Sequence, residues 1–177
     1  MRPRRLLWIL RVLAYRLRYR GSFSIEGFGL SVGKRVGIVI RRPGSVRIGR
    51  AVQFRDGCEL EALGGHIVLG ANVFFNRNCT IVADRSIEIG SDCLFGPNVG
   101  IFDNDHAFED RARPMWEQKR VEPVSIGSDV WIGANTVVTA GARIGNWVVV
   151  GANSVVTKEL PDGGLYAGNP ATLVRRI

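Results

Sequence analysis

The sequence predicts an all-β solenoid with a basic amphipathic helix in front of it and one irregular insertion in its middle. Three observations lead there. A six-residue period runs through most of the chain, it is lost abruptly between Ile101 and Ser125, and the first 20 residues hold seven arginines and no acid. Self-similarity at a fixed period marks a repeat architecture and takes precedence over a segment-by-segment reading.

The head comes first. On a helical wheel Leu6, Ile9, Leu10, Leu13 and Leu17 form one stripe. Arg4, Arg11 and Arg18 flank it on one side and Arg5 and Arg16 on the other, with Trp8, Tyr15 and Tyr19 between the arginine rows. Such a helix suits the surface of an anionic leaflet. It equally suits a lid on an open solenoid end, where inward residues and strand edges are bare. Both readings stay open at this point. The net charge of +8 is local to this head, since the other 157 residues carry 17 basic and 16 acidic groups. A near-neutral body argues against a nucleic-acid groove. The apolar run Leu6–Leu10 ends at Arg11, too short to span a bilayer. More arginine follows at 16, 18 and 20 without a small-residue cleavage site, unlike a signal peptide. The expectation is a cytoplasmic protein with a possible peripheral contact, through residues 1–20, on the inner face of the membrane.

The body, residues 21–177, is defined by its repeat. From Ile126 the chain reads IGSDVW, IGANTV, VTAGAR, IGNWVV, VGANSV and VTKELP. Each unit opens with Ile or Val, and its second residue is Gly or Thr. Neither the 3.6 period of a helix nor the alternation of a strand explains a period of six. The same frame occurs upstream from Val32, Ile48, Leu69 and Ile89, with extra residues at Gly64-Gly65 and Asp84-Arg85-Ser86 that read as outward loops. The pattern resembles the hexapeptide-repeat family, whose fold is a left-handed parallel β-helix. That resemblance implies that each unit is one face of a triangular coil, with the first and fifth residues inward and glycine easing the backbone at the corners. Coils stacked about 4.8 Å apart then make a solenoid. Cys58, Cys79 and Cys93 all fall at a fifth position, where a small, mildly apolar residue fits. Odd in number and without C-x-x-C spacing, they suggest neither a disulfide framework nor a zinc site.

The insertion, residues 102–124, is charged and contains two prolines, and it carries His106 in Asp103-Asn104-Asp105-His106. Insertions on a rigid scaffold often carry function. In order, the chain shows FFNRNCTIV, the His-bearing insertion, PVSIGSDVWIG, VGANSVVTK and GNPA. This series resembles the galactoside and maltose acetyltransferase branch and the acetyltransferases of capsule, exopolysaccharide and lipopolysaccharide synthesis. Those enzymes move an acetyl group from acetyl-CoA to a sugar hydroxyl.

The resemblance assigns roles residue by residue. His106 matches the general base, which suits a hydroxyl that must lose a proton as it attacks a thioester. Asp103 or Asp105 is expected to fix its tautomer, although either could instead cap a turn. Asn78 is expected at the oxyanion or the acceptor sugar, although asparagine also fills solenoid corners. Trp131, Gly133, Ala134, Ala152, Thr157 and Lys158 match the groove for acetyl-CoA, and Arg175 in the tail 162–177 is placed to meet its phosphates. Thr172 stands where the family often has a basic residue. No metal is implied. The family's trimer would place sites between subunits, making a homotrimer and a saccharide acceptor the expected partners. Transfer to an amine of an amino or nucleotide sugar is the rival chemistry, and a non-catalytic solenoid scaffold the rival of another class. With only two histidines, a three-histidine zinc site is disfavoured.

Overall fold

A computed structural model describes the backbone of residues 3–177 and the side chains from Leu10 onward. The helix α1, Pro3–Arg18, leads into a solenoid of short strands. Each coil gives one strand to each of three sheets, which among the described residues contain seven, eight and six strands. One coil shows the pattern: Ser45–Ile48 in the first sheet, Gln53–Phe54 in the second and Glu59–Leu63 in the third. Neighbouring coils pair in parallel and in register, as in Ile48 opposite Leu69 and Leu69 opposite Ile89. The product is a parallel β-helix with three flat faces.

The period of six follows from what the interior can hold. First-position residues Ile48, Leu69, Ile89, Ile126 and Ile144 are buried, as are fifth-position Val52, Val73, Cys93, Val130 and Val148. Along a second corner column Phe54, Phe75 and Phe95 stack at 5.1 and 4.5 Å between ring centres. Full burial of such side chains contributes about 1.5–3 kcal/mol each. Two fifth positions hold buried hydroxyls, and both are satisfied: Thr136 and Ser154 donate to the Gly151 carbonyl at 3.2 and 2.7 Å. The cysteines behave the same way. Cys58, Cys79 and Cys93 are buried free thiols that donate to the carbonyls of Asn76, Gly96 and Gly127. Burial pushes the Cys93 thiol up to about 11. The hydrogen bond with Cys58, and burial after it, pushes Cys79 up as well.

The corners differ from the sequence expectation. Second-position glycines do not ease the backbone. At Gly133 an added Cβ would lie 2.5 Å from the Ala152 nitrogen of the next coil, so these glycines permit close stacking of coils. The left-handed turn falls instead at the fourth position, with Asn72, Asn78, Asp92, Asn98, Asp129, Asn135 and Asn153 at φ of 57° to 60°, or 56° for Asn135. Asn and Asp tolerate this region because their short polar side chains bond locally. Here they form a ladder, in which Asn78 donates to Asn98, Asn98 to Asn135 and Asn135 to Asn153 at 3.2, 2.8 and 3.1 Å.

The first coil has no coil before it, and α1 covers part of that edge. Arg11 and Tyr15 donate to the Val36 carbonyl, and Tyr19 donates to that of Ile38 at 3.3 Å. The Tyr15 ring meets Phe23 edge-on at 6.0 Å. Carbonyls of an unpaired strand edge thus gain donors. The lid is made by the Arg11, Val12, Tyr15 and Tyr19 side of the helix, with Val12 and both tyrosines packed on the core. The leucine stripe is not packed on the core, because Leu10, Leu13 and Leu17 are exposed. The side chains of Arg4, Arg5, Leu6, Trp8 and Ile9 lie outside the described residues. Among the described residues no helix is long and apolar enough to cross a membrane.

Candidate active site

The insertion leaves the solenoid after the third-sheet strand Gly100–Phe102 and rejoins it at the first-sheet strand Val124–Ile126. It therefore emerges at the corner between those two sheets. Its two arms, Asn104–His106 and Lys119–Val121, form an antiparallel hairpin with Asp105 opposite Arg120 and His106 opposite Lys119.

The root of the hairpin is fixed by Asp103. This carboxylate is fully buried and accepts the backbone N–H groups of Asp84, Arg85 and Ser86 at 2.8, 2.7 and 2.7 Å. The outward loop that interrupts the repeat at 84–86 is thus a cradle for an anion, built one coil below the insertion. The return arm repeats the contact with opposite sign, since Lys119 forms an ion pair with Asp84. The expectation that Asp103 orients the His106 imidazole gives way to this geometry: both of its oxygens are taken by the 84–86 amides. Of the two aspartates Asp105 remains beside His106, and it accepts the His106 backbone N–H at 2.8 Å. The His106 side chain itself is exposed.

Sequence reasoning missed Gln118. It is buried, and its amide donates to the carbonyls of Asp110 and Arg113 at 2.7 and 2.8 Å, so it folds the outer loop onto itself. No local pattern marks a glutamine that acts only through contacts five and eight residues away. Arg120 was also missed. With Asp105, Thr139, Ala140 and Thr157 it lines a cleft of about 220 Å³ at the foot of the hairpin. Glu122 holds Arg120 at 2.6 Å and raises its guanidinium pKa, while Arg120 lowers that of Glu122.

The candidate residues fall into two groups. His106, Asp103, Asp105 and Thr157 lie at the corner between the third and first sheets, and Lys158 follows Thr157 directly. Trp131 belongs to the second sheet, and Gly133, Ala134, Ala152 and Asn78 lie at its corner with the third. Arg175 stands in the strand Thr172–Arg176, which folds back antiparallel on the last second-sheet strand, opposite Leu165. One whole face of the prism separates the groups, so a single chain does not bring Trp131 to His106. Asn78 sits on the second group's corner with its amide in the asparagine ladder.

The faces also differ in chemistry. The outward side of the first sheet is mostly polar, with Arg47, Val68, Glu88, Ser125, Arg143 and Glu159 in register. That of the second shows an apolar row in register, Phe74, Leu94, Trp131, Val149 and Leu165, of which Trp131 is 55% exposed. A contiguous apolar row on a face is the signature of a surface that meets another molecule.

The stacked, in-register coils with a six-residue period define the fold as a hexapeptide-repeat parallel β-helix. Residues 123–158 match the family model described as bacterial transferase hexapeptide (six repeats). Galactoside O-acetyltransferase of Escherichia coli (strain K12) is 38% identical over 64% of this chain and 56% of its own. A maltose O-acetyltransferase from Clostridium difficile 630 superposes with a TM-score of 0.62 at 34% identity, over 85% of this chain and 70% of that one. A hexapeptide-repeat acetyltransferase from Vibrio cholerae O1 biovar eltor, solved with acetyl coenzyme A, gives a TM-score of 0.62 at 30% identity over 84% and 71%. The chain belongs to the hexapeptide-repeat acetyltransferase family. It spans little more than half the length of the galactoside relative.

Proposed function

We propose that this protein transfers the acetyl group of acetyl-CoA to a hydroxyl of a saccharide, in the synthesis of a cell-surface glycan. The observation that carries the reading is the anchored hairpin, which holds an exposed histidine at a fixed corner of a rigid solenoid. The identity with O-acetyltransferases supports oxygen rather than nitrogen as the acceptor atom. In the reaction the His106 imidazole takes the hydroxyl proton as the oxygen attacks the thioester carbonyl. The new C–O bond forms, the C–S bond breaks, and the CoA thiolate leaves with the proton that His106 returns. Asn78 is assigned to the acceptor or the oxyanion, and Asp105 to the imidazole. Trp131, Gly133, Ala134, Ala152, Thr157, Lys158 and Arg175 are assigned to the CoA groove, where small residues leave room for a narrow pantetheine arm.

Two separated groups on one chain support a homotrimer. A neighbour that sets its second face against the hairpin corner supplies the Trp131 group that the first chain lacks there, and the apolar row is covered in the same step. Peripheral attachment to the inner face of the membrane through residues 1–20 belongs to this reading too. The test is a screen of activated and lipid-linked sugars with acetyl-CoA, followed by thiol release. Release that requires a sugar and is lost in His106→Ala supports the assignment. Release indifferent to sugar and to His106 overturns it, and absence of CoA binding favours a scaffold.

A further inference from the structure

The helix α1 presents two faces, and only one is used by the solenoid. Val12, Tyr15 and Tyr19 pack on the core, whereas Leu10, Leu13 and Leu17 are 55%, 48% and 65% exposed. Three leucines in such a row are unexpected on a helix that already has a packing partner. The apolar surface continues off the helix. A groove of about 380 Å³ beside it is lined by Val12, Leu13, Arg16, Ile25, Phe28 and Leu30, and Phe28 stands 95% exposed at its rim.

Charge decides what this surface meets. Arg16 and Arg18 are exposed on the same helix, Arg16 also reaching the Ile25 carbonyl at 3.3 Å, and Arg20 is exposed in the turn that follows; the sequence of residues 1–20 has seven arginines and no acid. A second copy of the chain would bring an equal positive charge against it and is disfavoured by repulsion. An anionic bilayer offers both complements at once: phosphates for the arginines and acyl chains for the leucines and Phe28. A helix this short and this charged lies in the interface and does not cross it. We infer that Leu10, Leu13, Leu17 and Phe28, ringed by Arg16, Arg18 and Arg20, form a docking face that seats the N-terminal end of the solenoid on an anionic membrane surface. The tyrosine face holds the helix to the protein, and the leucine face holds the helix to the lipid. This deepens the peripheral attachment stated above and does not depend on the acetyl-transfer chemistry.

The experiment is sedimentation of the full chain with vesicles of phosphatidylcholine alone or with one third phosphatidylglycerol. It is run at low and high salt, beside the variant Leu10→Gln/Leu13→Gln/Leu17→Gln. These leucines are exposed, so the variant keeps the lid contacts, which its melting temperature checks. The full chain is expected to bind the anionic vesicles at least tenfold more tightly than the neutral ones, with the difference shrinking as salt screens the charge. The triple variant is expected to lose at least tenfold on anionic vesicles with CoA binding and oligomeric mass unchanged. Equal binding to both vesicles, no binding at low salt, or full binding by the variant overturns the proposal. A fall in oligomeric mass of the variant also overturns it, because the leucine face then joins copies of the chain. A failed sugar screen with intact vesicle binding counts against the catalytic reading alone.

Discussion

The Asp103 carboxylate receives the Ser86 backbone N–H at 2.7 Å, across 17 residues and from one coil to the next. With the amides of Asp84 and Arg85 this makes three charge-assisted bonds in a fully buried site. Removing the acceptor strands three N–H groups, so Asp103→Ala is expected to lower stability by about 3 kcal/mol or more. Asp103→Asn keeps one oxygen and should lose roughly half of that. Urea unfolding measures both. Because the hairpin hangs from this root, kcat should fall in Asp103→Ala and recover in large part in Asp103→Asn. An alanine variant as stable as the parent would remove the anchor from the account.

His106 is exposed and contributes no packing, so His106→Ala should fold as the parent does. Turnover is expected to fall by about 10² or more with CoA affinity almost unchanged, as for a group acting in the transition state. Steady-state kinetics and CoA titration check the two halves separately. More than half of the activity retained would sink the role of base.

The proposed division of the site between chains has its own signature. A subunit with His106→Ala still offers Trp131, and one with Trp131→Ala still offers His106. In random mixed trimers about a quarter of the contacts join an intact His106 to an intact Trp131. Unfolding and refolding the two inactive variants together should therefore recover roughly a quarter of the activity. A site contained in one chain would recover none.

The lid predicts a loss of stability that vesicles do not influence. Tyr15→Ala with Tyr19→Ala removes the Phe23 contact and two donors to the first coil, and should cost at least about 2 kcal/mol. For a chain of this size that is a fall of about 4–8 °C in Tm. An unchanged Tm would show that the first coil needs no cover.

The thiols give a pH prediction. Cys93 is pushed from an ordinary 9.0 up to about 11 by burial. Its neutral form is favoured in the folded state, so its contribution to stability is full below pH 9 and is lost as pH rises toward 11. Stability against urea should decline across that window, and Cys93→Val should flatten the decline. All three cysteines should resist a thiol reagent at pH 8 in the folded protein and react together once it unfolds. Fast labelling of a native thiol would contradict their burial.

How much of this was legible in the sequence differs from element to element. The period of six specified the solenoid, because a triangular interior takes aliphatic residues or stacked phenylalanines at the first position and small or aliphatic ones at the fifth. That constraint recurs locally in every coil, so it is written along the chain. The same is true of the insertion, whose loss of period marks where the chain leaves the prism. The corner was misjudged by two residues: a glycine looks alike whether it serves a strained turn or a close neighbour, and only the next coil tells them apart. Asp103 and Asp105 are alike in the sequence, and which one turns inward depended on where the 84–86 amides lie, one coil away. The head was legible as amphipathic but not as to which side packs, because leucine and tyrosine are both apolar enough to cover a core. The tertiary structure chose the tyrosines, since their hydroxyls reach the bare carbonyls of Val36 and Ile38 and leucine has no donor to offer.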